Sequence, residues 1–387
     1  MRILNKIKII GRAVHPTMAS KRNSLQSGSG EGMDNKNKDR KSVPTMYEIA
    51  RLAGVSQSTV SRVLNGNVAV APEKYAAVME VVERLNYRPN IAAKGLAHGK
   101  TLTIGILARM LGSPFHGELL RGIEAGLHGS GYYPVIALGG DLANEDEAAI
   151  DMLMARQVDA LIVLYSDQLS DTYLLEVAKE LPLVIVGRQV PGLEQHCLCV
   201  NNRFGAYTAT AYLISKGHTG IAHITGSLNA PDGATRREGY IQALIEHGLS
   251  VDPALIVEGD FGESSGVLGV NELLAVRSAH PFTAILVGND QSAFGARLAL
   301  YQRHIDVPND ISLIGFDDIS GAQYMTPPLT TVRQPLYLMG MMAAKNVIAA
   351  LAGEKAAMPD FPLELVIRQS VAIVGRPGSA ASQRKKG

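Results

Sequence analysis

The sequence predicts a small all-α helix-turn-helix head followed by an α/β body of two lobes, each a doubly wound parallel sheet. Three observations predict it. Between residues 45 and 85, short amphipathic segments are separated by a glycine turn and restarted by a proline. From Leu102 onward, near-continuous apolar runs alternate with longer amphipathic segments, the pattern of parallel strands covered on both faces. That alternation restarts near residue 221, so two such sets follow one another.

Residues 1–44 read as a disordered basic tail, rich in Lys, Arg, Asn, Ser and Gly. Met33 opens a shorter basic lead and is an expected alternative start, which the intact mass of the natively expressed protein would decide. Met1 to Ile10 alternates basic and apolar residues and lacks the unbroken apolar core of a secretory signal. The head spans 45–89. Thr45 with Glu48 three residues on makes a capping box. Tyr47, Ile49, Ala50, Leu52 and Ala53 form an apolar helical face that Gly54 ends. Ser56 caps a second helix carrying Val60, Val63 and Leu64. Two short helices joined by a glycine turn describe a helix-turn-helix. A third runs from Pro72 to about Leu85, with Tyr75, Val78, Met79, Val82 and Leu85 apolar. Residues 90–99 form a short Ala-rich hinge and linker.

The body spans 100–375. Its strands read as 103–107, 133–138, 160–164, 183–187 and 197–200 in one lobe, with helices at 117–130, 144–156 and 171–181. After a segment at 205–216 the cycle restarts. Strands at 221–224, 255–257, 284–287 and 311–316 alternate with helices at 235–247, 264–276 and 290–303. The first lobe is expected at about 100–200 plus 331–360, the second at about 201–330 plus 361–375. Residues 376–387 form a flexible tail. Ligands of such sheets sit beyond the carboxyl ends of the strands, here in the crevice between the lobes.

Composition narrows the function. The net charge of +1 conceals a basic head on an acidic body: residues 1–99 carry 16 Lys and Arg against 7 Asp and Glu, the remainder 21 against 29. That is the footprint of a protein that meets a polyanion with one end, although a basic tail without a partner has the same charge. Two cysteines, Cys197 and Cys199, exclude a disulfide scaffold and read as core thiols; His196 beside them lacks the second ligand pair of a zinc site. No apolar run is long enough for a membrane span. No Gly-x-Gly-x-x-Gly, Walker loop or Gly-x-Ser-x-Gly elbow supports an enzyme. No cofactor or metal is expected.

The run from Tyr47 to Asn65, YEIARLAGVSQSTVSRVLN, strongly resembles the DNA-binding signature of the lac-repressor/gal-repressor (LacI/GalR) family. Leu85 to Asn90, Gly288-Asn289-Asp290, Ile314 to Asp318 and Pro328 to Gln334 are similar to further motifs of that family, in the same order. The resemblance covers about 45–375 and implies a repressor with a periplasmic-binding-protein-like body. It implies a cytoplasmic homodimer on a pseudo-palindromic operator. The second helix of such a motif enters the major groove with its first turn on base edges. That assigns base choice to Gln57 and Ser58, beside Ser56; Gln pairs bidentately with adenine. Arg62 reaches guanine or a phosphate. Thr45, Tyr47 and Asn65 match phosphate-contacting positions, with partial core an equal reading of Tyr47. Asn90, Ala93 and Leu96 match a hinge helix in the minor groove, Leu96 as an apolar wedge between base steps.

The same resemblance places effector contacts at Arg236, Asp317 and Asn289, with Phe261 as a stacking aromatic. Phe115 and His116 open the first helix of the first lobe and line the other wall, and Arg188 lies at a strand end. Asp290 reads as a helix N-cap rather than a contact. An Arg fork and a carboxylate on vicinal hydroxyls suit a neutral sugar or sugar derivative; a nucleoside or purine, or a phosphorylated or acidic sugar held by Arg188, stays open. A periplasmic sugar-binding protein of a transporter explains the body but leaves the head without a role. The chain ends without heptads, so a dimer is expected over a tetramer.

Overall fold

The computed structural model describes residues 44–64, 70–87, 99–140, 143–356 and 359–374, in two separate units divided at Pro89 and Asn90. Asn65, Asn90, Ala93 and Leu96 lie outside the described residues. The head unit consists of α1 (Met46–Leu52), α2 (Gln57–Leu64) and α3 (Pro72–Arg84). The Glu48 amide donates to Thr45 Oγ1 at 3.3 Å, and the Thr59 amide to Ser56 Oγ at 3.2 Å, so both expected N-caps form. Gly54 turns the chain between them at φ +65°, a left-handed conformation that favours glycine. Ile49, Ala50, Val60, Val63, Val78 and Val81 form the core. The apolar faces read from sequence were too broad. Tyr47, Leu52 and Tyr75 are exposed, because three helices this short enclose only one narrow stripe of each.

In the body, sheet one has the order β2-β1-β3-β4-β5, from β1 (Thr103–Ala108), β2 (Tyr133–Leu138), β3 (Ala160–Leu164), β4 (Leu183–Val186) and β5 (Cys197–Leu198), all parallel. Alternate residues face opposite ways, as a period of two requires. Ile104, Ile106, Ile162 and Val184 pack on α4 (Pro114–Leu127) and α11 (Leu336–Leu351). Leu107, Leu161, Val163 and Ile185 pack on α5 (Ala143–Ala155) and α6 (Asp171–Glu180). The two faces therefore close two cores, which is why these strands read as unbroken apolar runs.

Sheet two has the order β11-β10-β9-β8-β6-β7. Its strands are β6 (Ile221–Ile224), β7 (Ile256–Val257), β8 (Ala284–Val287), β9 (Ser312–Asp317), β10 (Thr330–Arg333) and β11 (Glu364–Val366), the last antiparallel. It is covered by α7 (Asn202–Ser215) and α8 (Pro231–Glu246) on one face and by α9 (Glu263–Val276) and α10 (Asp290–Gln302) on the other.

Several boundaries differ from the sequence reading. Helix α4 begins at Pro114 and α8 at Pro231, because a proline at the first helical position has no amide to satisfy. The strand expected over 197–200 keeps only two residues. Cys197 is buried and Cys199 half-buried, both as free thiols. Residues 331–333, expected in the first lobe, pair with β9 in sheet two, and the chain returns to the first lobe at α11. Among the described residues no helix is long and apolar enough to cross a membrane.

Candidate functional site

The head presents one polar face. Ser56, Gln57, Ser58 and Arg62 are exposed at the start and along the outer side of α2, while Val60 and Val63 turn inward. Ser56 Oγ lies 2.8 Å from Ser58 Oγ and 2.9 Å from Thr59 Oγ1, which fixes the first turn of the helix. Thr45 and Tyr47 are exposed at the start of α1. Tyr47 at 67% exposure settles its two readings against the core.

In the body, the carboxyl ends of the strands from both sheets converge on a cleft of about 660 Å³. That is the size range of small-molecule sites. All seven expected effector residues line it: Phe115, His116, Arg188, Arg236, Phe261, Asn289 and Asp317. All but Arg236, which lies one turn into α8, stand near a strand end or at the start of the next helix, where the sheet rule puts a ligand.

The second-lobe wall is a fixed polar cluster. Arg236, on the second turn of α8, is buried. Its Nε donates to Asn202 Oδ1 at 2.8 Å and its Nη1 to the Gly288 carbonyl at 2.7 Å. Its Nη2 lies 3.7 Å from Asp317 and 3.9 Å from Asp232, and its plane stacks 3.8 Å over Phe316. Asp317 ends β9 at φ +113°, a strained backbone of the kind found at ligand clamps. Its Oδ1 accepts from Gln334 Nε2 at 2.7 Å. Burial pushes its carboxyl up to about 7, against the pull of Arg236 and Gln334.

Asn289, not Asp290, caps α10: its Oδ1 accepts the Ser292 amide at 2.9 Å and its Nδ2 donates to the Phe261 carbonyl at 3.0 Å. Asp290 is the first helical residue, fully buried on Thr331 Oγ1 and the Ile319 amide. The cap assignment erred by one residue because Asn and Asp are equally good caps.

The first-lobe wall is aromatic and less bonded. The Phe115 ring meets His116 at 5.3 Å and Tyr165 at 4.8 Å, both edge-on. Both His116 ring nitrogens and the Tyr165 hydroxyl are buried with no hydrogen-bond partner among the described residues. Burial, with Arg109 nearby, lowers His116 to about 4, so it is neutral at pH 7. Gly187, at φ +105°, leaves room for the Tyr165 ring, whose atoms a Cβ there would meet at 2.4 Å. Arg188 Nη2 is bound to Asp171 at 2.7 Å, and Arg109 to Asp167. Every arginine of the cleft thus already faces a carboxylate.

Sequence reasoning missed Tyr165, Arg109, Asp167, Asp232, Gln291, Asn202 and Gln334. Their signal was position: Arg109 and Tyr165-Ser166-Asp167 directly follow β1 and β3. Ser113 and Gln291 meet across the cleft, Ser113 Oγ donating to Gln291 Oε1 at 2.7 Å. Among the described residues no cluster of three or more His, Cys, Asp or Glu is placed to hold a metal ion.

A helix-turn-helix head on a two-lobed body with a polar interlobe cleft defines a ligand-responsive DNA-binding regulator. Residues 45–90 match the model for bacterial regulatory proteins of the lacI family, and residues 210–371 that for a periplasmic binding protein-like domain. The chain is 36% identical to the HTH-type transcriptional regulator GalR of Escherichia coli K12, over 79% of this chain and 88% of that one. It is also 36% identical to the ribose operon repressor of Haemophilus influenzae, over 84% and 98%. A crystal structure of the lac repressor dimer bound to operator and the anti-inducer ONPF superposes with a TM-score of 0.77 at 27% identity, covering 85% of this chain and 99% of that one. A transcriptional regulator CelR–cellobiose complex gives 0.64 at 30% identity, covering 84% and 99%. The chain belongs to the LacI family of bacterial regulatory proteins: it is a DNA-binding transcriptional regulator, not an enzyme and not a transporter's binding protein.

Proposed function

We propose that this regulator is a repressor that binds a pseudo-palindromic operator as a homodimer in the cytoplasm and is controlled by a neutral sugar held between its lobes. The observation that carries the sugar reading is the cleft itself. It offers a buried Arg–Asp pair, an aromatic wall and unpartnered polar atoms, but no arginine without a carboxylate. A phosphorylated or acidic sugar would meet a carboxylate beside each of those arginines and be repelled by it. A polyhydroxylated neutral ligand satisfies donors and acceptors alike.

The names of the relatives fit this reading. One is a ribose operon repressor, and one structural neighbour is a complex with cellobiose. On DNA, Gln57 and Ser58 read base edges, Arg62 reads a guanine or clamps a phosphate, and Thr45 and Tyr47 set register. Asn65 belongs with the phosphate contacts, and Asn90, Ala93 and Leu96 with a minor-groove hinge, on the family resemblance. The edge strand β2, whose Tyr133, Ile136 and Leu138 are exposed, offers an apolar face for the second copy.

Footprinting on the DNA upstream of its own and neighbouring genes, titrated with neutral pentoses, hexoses and disaccharides, tests the proposal. A palindromic footprint that one sugar weakens is the expected result. No specific footprint at moderate salt would overturn the assignment of the head. Arg62→Ala should weaken operator binding by roughly 5- to 150-fold, the range of one lost base or phosphate contact, with an unchanged circular dichroism melt.

A further inference from the structure

The chain passes between the lobes three times within the described residues: from β5 to α7, from β10 to α11, and at Phe361 to Leu363, which lie in the cores of the first and second lobe respectively. Any opening or closing of the cleft must be absorbed at these crossings, since the packed lobes themselves resist deformation. Asn202 stands at the first crossing and Gln334 at the second, and both are buried.

The two central effector residues are each bonded to a crossing. Arg236 Nε donates to Asn202 Oδ1 at 2.8 Å, and Gln334 Nε2 donates to Asp317 Oδ1 at 2.7 Å. Arg236 and Asp317 face each other at 3.7 Å, so the chain Asn202–Arg236–Asp317–Gln334 links one crossing to the other through the ligand site. The backbone repeats the second link, with the Gln334 amide donating to the Asp317 carbonyl at 3.2 Å. Arg333, next in sequence, bonds Asp318 at 2.7 Å and Glu364, beside the third crossing, at 3.0 Å. Those last pairs are half-exposed on the Arg333 side and count for less. Gln334 Oε1 is buried without a partner among the described residues, so this amide has bonding capacity left for a change of arrangement.

We infer that Asn202 and Gln334 are positioning residues that carry occupancy of the Arg236–Asp317 pair to the interlobe crossings. This rests on the effector reading of the cleft. A polyol that engages the Arg fork and the carboxylate re-aims both side chains. Each then pulls on, or releases, its crossing residue. Differential contact with two lobe arrangements is what coupling between ligand and DNA requires. Neither residue needs to touch the sugar.

The test is amide hydrogen exchange on the full-length protein without sugar, so it stands or falls independently of the sugar reading. Asn202→Leu should raise exchange at least tenfold at its own crossing and also at 317–319 and 333–336, and Gln334→Leu should do the mirror image. The double variant should exceed either single one by no more than about twofold, because both break one chain. Asn202→Asp keeps an acceptor for Arg236 and should restore the wild-type pattern. Asn202→Ser replaces Asn202→Leu if the latter does not fold. Loosening confined to the substituted crossing, additive effects, or an Asn202→Asp variant that behaves like Asn202→Leu would each overturn the inference.

Discussion

The two walls of the cleft are built on opposite principles. In the second lobe Arg236, Asp317 and Asn289 are each fixed by bonds to a backbone carbonyl or to a buried side-chain amide. In the first lobe Phe115, His116 and Tyr165 pack edge to edge, with three buried polar atoms unpartnered among the described residues. A wall bonded before the ligand arrives loses little freedom on binding and sets affinity. A wall with unused donors and acceptors gains most from a ligand whose hydroxyls match it, and gains nothing at those groups from one whose hydroxyls do not. On the proposed reading the second lobe holds the sugar, and the first selects it.

Substitutions should separate the two walls. The largest effect belongs to Arg236→Ala. It removes the cation that holds Asp317 ionised, so the buried carboxyl takes up a proton and the clamp loses both charges. Sugar binding should fall more than 100-fold by calorimetry, and the operator complex should no longer respond to sugar. Retained response would remove Arg236 from the clamp.

Next comes pH. A folded Asp317 near 7 is half protonated at neutral pH, and the clamp needs its carboxylate to accept hydroxyls. Sugar affinity should rise with pH through 7, roughly tenfold from pH 6 to pH 8. In stability the sign is opposite. The unfolded carboxyl releases its proton more readily, so Asp317 lowers stability as pH rises from about 4 to 7. A flat binding profile between pH 6 and 8 would deny the carboxylate its role.

On the first-lobe wall, Tyr165→Phe removes one hydroxyl and keeps the ring. It should change the ranking among sugars by about 5- to 10-fold without abolishing binding. Uniform weakening of every sugar would show that Tyr165 holds rather than selects. The smallest effect should come from Arg188→Gln. Its guanidinium is already bound to Asp171, and neutral-sugar affinity should move by less than threefold.

The head and the cleft were unequally legible in the sequence. Thr45, Gly54, Ser56, Gln57 and Ser58 stand within 14 residues, so caps, turn and reading face follow from local rules. The cleft draws on strand ends from Arg109 to Asp317, and only the family motifs pointed to its members. Phe115, Arg236, Phe261 and Asp317 carried such a motif or opened a helix. Tyr165 carried none: it is one tyrosine after an apolar strand, and its place depends on Gly187 in another loop. Asn202 carried no signal and Gln334 only closed a family motif, because their partners lie 34 and 17 positions away. Arg188 was read as a free charge, since sequence spacing does not reveal that α6 brings Asp171 against it.

The most direct test of the central claim is a calorimetric titration of the full-length protein with neutral sugars beside their phosphate esters. Binding of a neutral sugar, with its phosphate at least tenfold weaker, is the predicted result. A phosphate ester that binds more tightly would contradict it, because the carboxylates beside the cleft arginines would then fail to exclude a second anion.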